Sequence, residues 1–211
     1  GIANDDILLI VMSIGDNPAQ SSTAPTGFTA ATGYPTGAEF TYSSDPNYKV
    51  RLHAYYKVAS SESGDYTVTH SNADTEAVMY AISGGDTATP LNPNPTIQAD
   101  TDQVGGNVLT APSITPTVND SLIVWFGATW DAFGAASPSG GTTPTFTERY
   151  NNAAGILYVQ DGVLGTAGAT GSKSVTSTQP SDRQNAASMI CVQAASGGAA
   201  TWGHLLSLMN N

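Results

Sequence analysis

Asp6-Ile7-Leu8-Leu9-Ile10-Val11-Met12-Ser13-Ile14-Gly15 and Asp120-Ser121-Leu122-Ile123-Val124-Trp125-Phe126-Gly127-Ala128-Thr129 are the stretches on which the fold turns. Each follows an Asn-Asp turn signal, Asn4-Asp5 in the first case and Asn119-Asp120 in the second. The first holds a continuous apolar run, Ile7 to Ile14, of the length and character of a strand covered on both faces, and Leu122 to Thr129 repeats it.

The sequence around these runs alternates with a period of two. Leu52, Ala54, Tyr56 and Val58 are expected on one face of a strand over Val50 to Ala59, with Arg51, His53, Tyr55 and Lys57 on the other. Asp65 to His70 and Glu76 to Ile82 read as further strands, closed by the turn Gly84-Gly85-Asp86. A crossing with Pro90, Pro93, Pro95 and Gly105-Gly106 leads to Val108-Leu109 and a short strand around Ile114. Thr145 to Arg149, Ala154 to Gln160, Lys173 to Ser177 and Ala187 to Gln193 complete the expected strands, while Gly15 to Thr36, broken by Pro and Gly, reads as loop.

The strands fall into two matching sets. Ile7 to Val11 answers Leu122 to Trp125, and Pro25 to Thr29 answers Pro144 to Thr147. His53 to Tyr56 answers Gly155 to Tyr158, Thr67 to Thr69 answers Ser174 to Thr176, and Ala77 to Ala81 answers Ala187 to Cys191. Two units are too few for a solenoid or propeller. The expectation is therefore an all-β chain, a single β-sandwich or jelly roll of about ten strands built from half-repeats 4–83 and 118–193. Residues 1–196 would form this domain and 197–211 a short apolar tail.

Composition narrows the function. Seventeen acidic residues against six basic ones give a net charge of −11, which argues against nucleic-acid and anionic-membrane partners. Cys191 is the single cysteine, so an internal disulfide is excluded, and its run Met189-Ile190-Cys191-Val192 predicts a packed core thiol. Familiar nucleotide, metalloprotease and hydrolase motifs do not occur, and no catalytic residue, cofactor or metal is expected. His53 and His70 lie on different expected strands, where Asp65 or Asp74 could orient one of them, and read as exposed strand histidines rather than a catalytic or metal pair. Asp100-Thr101-Asp102 beside Gly105-Gly106 resembles part of a calcium loop without its remaining acidic ligands. Asn119-Asp120-Ser121 fits a glycosylation sequon, and also the turn that opens the second half.

Two segments could make contacts. Trp130 and Phe133, in an expected loop after the second apolar strand, could stack on a sugar, or Trp130 could cap the core. Beyond Ser196-Gly197-Gly198, the tail carries Trp202, Leu205, Leu206, Leu208 and Met209. Read as a short helix, it needs burial on the parent domain or on another subunit, which makes it a candidate assembly contact.

Asp6 to Val11, Pro25 to Thr29, Tyr55 to Ala59, Asp65 to Thr69 and Gly84 to Leu91 together resemble a β-sandwich family of bacteriophage structural proteins and prophage-derived bacterial proteins. Ser181-Asp182-Arg183 and Ala186 to Val192 resemble its closing element, and the resemblance ends near Gln193. It implies a non-enzymatic virion protein on the outer surface of head or tail, either a capsid decoration (cement) protein or an appendage domain. It further implies other virion proteins as partners, with a homo-oligomer and a cell-surface glycan as further expected contacts. Family members commonly have a strand before the turn acid, so a start at Gly1 suggests a truncated or processed N-terminus, or a strand donated by a neighbour. The alternative from a different class is a secreted carbohydrate-binding module or adhesin.

Overall fold

A computed structural model describes residues 1–15, 21–34, 50–71, 74–92, 98–100, 107–129, 133–134, 136–139, 143–178, 185–197 and 205–210. For 98–100, 137–139 and 205–210 it describes the backbone alone. The described chain is all-β and builds antiparallel sheets.

The two apolar runs form β1 (Ile7–Gly15) and β9 (Ser121–Thr129), and every residue of both is buried. Each is the middle strand of a five-stranded sheet. β1 lies between β4 (Val50–Val58) and β6 (Thr75–Ile82), with β3 (Thr29–Ala30) outside β4. β9 lies between β12 (Leu157–Leu164) and β14 (Asn185–Val192), with β11 (Thr147–Asn151) outside β12. The remaining edge in each sheet is closed by a strand from beyond that half. β7 (Gln98–Asp100) pairs with β14, and β15 (Leu205–Asn210) pairs with β6.

These two sheets face one another across the main core. Ile7, Leu9, Val11, Leu52, Val78 and Tyr80 meet Leu122, Val124, Phe126, Val159, Ile190 and Val192. The alternate residues point outward, and two smaller sheets cover them. β8 (Val108–Ala111), β13 (Lys173–Ser177) and β10 (Ala136–Ser139) make a three-stranded layer in the order β10-β13-β8. With Phe133 this layer buries Ile123, Trp125, Met189 and Cys191. β2 (Ser22–Thr23) and β5 (Thr69–His70) make a two-stranded layer near Leu8, Ile10, Met12 and Tyr55. The sandwich thus carries an outer sheet on each side, which the sequence reading did not anticipate.

The pairing registers give the correspondence of the halves. Ile10 faces Met79 as Trp125 faces Met189, and Ile7 faces Ile82 as Leu122 faces Val192. Thr29 opposite Tyr56 matches Thr147 opposite Asp161. One sequence correspondence is corrected. Met12 faces His53 and its equivalent Gly127 faces Tyr158, so His53 corresponds to Tyr158 and not to Gly155. Gly155 and Ile156 belong to the turn that precedes β12.

The tail expectation is corrected as well. Residues 205–210 form a strand, not a helix, with Leu205 opposite Tyr80, Leu206 opposite Met79 and a bulge before Met209 opposite Ala77. A segment this short gains little as an isolated helix, whereas the free edge of β6 supplies ready partners for its backbone. Likewise, only the last two residues of the expected strand Asp65 to His70 enter a ladder.

Polar side chains join the halves. Glu76 on β6 accepts hydrogen bonds from Leu157 N–H at 2.8 Å, Asn152 Nδ2 at 2.9 Å and Tyr150 Oη at 3.1 Å. Its carboxylate fills the space beside Gly155, where a Cβ would fall within the carboxylate. Tyr34 stacks on Phe126 at 5.7 Å, and its hydroxyl lies 2.6 Å from Ser188 Oγ. The turn after β6 is tied to β14, with Asp86 N–H donating to the Gln193 carbonyl and Gln193 Nε2 to Asp86.

Glu76→Ala leaves these buried donors without an acceptor and is expected to destabilise the fold by about 2–4 kcal/mol in urea unfolding. Gly155→Ala displaces the same carboxylate, so the double variant should lose less than the sum, with a coupling of about 1 kcal/mol or more. Additive losses would mean that the carboxylate does not occupy the Gly155 gap in solution.

Candidate functional site

The residues singled out by sequence have different fates. Phe133, read as a ligand-loop aromatic, is fully buried and stacks on Tyr158 at 5.3 Å. Its N–H donates to the Gly155 carbonyl, and its carbonyl accepts from Ser177 Oγ. It is therefore a core residue under the outer sheet, and a sugar cannot reach it. Its partner in that expectation, Trp130, lies outside the described residues, as do Trp202 and His204. Leu205, Leu206, Leu208 and Met209 fall within β15, where their side chains are not described.

His53 does not belong to an exposed face. The β2–β5 layer covers it, leaving 1% of its surface exposed. Its Nδ1 lies 2.8 Å from Ser22 Oγ, which is 2.5 Å from Tyr55 Oη. The His53 and Tyr55 rings stack at 6.3 Å. This chain of side chains fastens β2 onto β4. His70 is held elsewhere, its Nδ1 2.8 Å from the Ser71 carbonyl and 3.2 Å from Thr75 Oγ1. The two histidines thus have different partners. Among the described residues no group of three or more His, Cys, Asp or Glu is placed to hold a metal ion. Thr101 and Asp102 of the calcium-like sequence lie outside those residues. Cys191 is buried, and that burial pushes its thiol up to about 12, against thiolate chemistry at neutral pH.

The feature best suited to recognition is an apolar groove of about 470 Å³ on the outer face of the β1 sheet. Ile10 of β1 and Ala77 and Met79 of β6 form its floor, and Ile2, Tyr66 and Val68 line it further. Apart from Ile10 these side chains are half-buried, so apolar surface meets solvent here. Sequence reading missed the groove. Its residues are spread over the N-terminus, β1, β6 and the run before β5, and pairing alone brings them together.

Near the groove, Lys57, Glu62, Phe28 and Tyr66 make one cluster. Lys57 Nζ lies 2.8 Å from Glu62 Oε1 and 5.8 Å from the ring centroids of both Phe28 and Tyr66. Tyr66 Oη donates to Glu62, and Ser60 N–H donates to it at 2.8 Å. The hydrogen bonds from Lys57, Tyr66 and Ser60 hold the Glu62 carboxyl down at about 2. No family model matches the chain, and neither a curated protein nor a solved structure matches it.

Because the Glu62 pKa is lower when folded than when unfolded (about 4.3), its stabilising effect is full above the unfolded value. It is lost as pH falls through the folded value of about 2. Glu62→Gln should therefore lower Tm at pH 6, and the gap between the two proteins should close between about pH 4 and pH 2. A gap independent of pH would show that the carboxylate charge is not what the cluster uses.

Proposed function

We propose that the chain is a non-enzymatic structural protein of a bacteriophage virion, a capsid decoration protein or a domain of a head or tail appendage. The observation that carries this reading is the half-exposed apolar groove on a strongly acidic, layered β domain. Such a surface favours association with another polypeptide over turnover of a small molecule. The buried Glu76 bonds internal groups, which is a structural use of a carboxylate. The phage-like motifs Pro25 to Thr29 and Gly84 to Leu91 also have structural work here. Phe28 packs edge-on against Tyr66, and Asp86 caps the turn by accepting from Ala88 N–H and Thr89 N–H.

The carbohydrate-binding alternative has lost Phe133 as a contact residue and now rests on Trp130. Decoration and appendage roles both require the chain to be part of a particle. Mass spectrometry of gradient-purified virions, with immunogold microscopy of the same fractions, should find it in repeated copies on the head or tail surface. Particles free of the chain, together with polysaccharide hydrolysis by the isolated domain, would overturn the proposal.

A further inference from the structure

We draw no further inference here: the strongest candidate, the apolar groove floored by Ile10, Ala77 and Met79 on the outer face of the β1 sheet, carries none, because nothing in the structure shows what covers it.

Discussion

The constraint that organises this molecule is that β1 and β9 have no polar face. Leu8, Ile10, Met12 and Ile14 are as apolar as Ile7, Leu9 and Val11, and Ile123 and Trp125 alternate with Leu122, Val124 and Phe126. Burying a side chain of this size stabilises by about 1.5–3 kcal/mol, so neither face can be left to water. Packing the two sheets together satisfies one face of each, and the outer layers β10-β13-β8 and β2-β5 follow from the need to cover the other. Two carboxylates carried inward, Glu76 and Asp161, are held by two or more hydrogen bonds each. Glu76 accepts from three donors, and Asp161 takes a bidentate pair of bonds from Arg149, both at 2.9 Å.

Much of this was legible because strand periodicity is a local property. Residues 50–58 alternate in sequence as they do in the structure, with Leu52, Ala54, Tyr56 and Val58 turned to the main core. The paired Asn-Asp turns also mark the strand starts correctly, and Asp5 and Asp120 both take positive φ there. What failed was non-local. His53 was matched to Gly155 because short strands resemble one another, and only pairing with β1 and β9 fixes the register at Tyr158. Nothing within His53-Ala54-Tyr55 states that its second face will be covered, since the cover comes from β2 and β5. The tail was misread for a related reason. A short apolar segment has no decisive period, and the free edge of β6, far away in sequence, decides that it becomes a strand.

The functional residues were less legible than the fold. Phe133 looked like a recognition aromatic because it follows a strand in a Gly-rich loop, yet Tyr158 and Ser177 draw it beneath the outer sheet. The groove carries no motif. Ile2, Ile10, Val68 and Met79 are ordinary apolar residues, and each fits a core assignment when read alone. The incomplete burial of Val68 and Met79 emerges when the first half is laid against the second, where Val175 and Met189 are fully buried.

An unpaired strand edge beside apolar surface is ordinarily a liability, because identical chains can zip together along it. Here the edge is kept short. Residues 65–68 are outside any ladder, Gly64 turns the chain with a φ of 81°, and Glu62 anchors the approach through Lys57. Tyr66 is drawn toward Phe28 and away from extended pairing, with ring centroids 5.3 Å apart at 73°. The segment therefore presents little ready backbone for indiscriminate pairing.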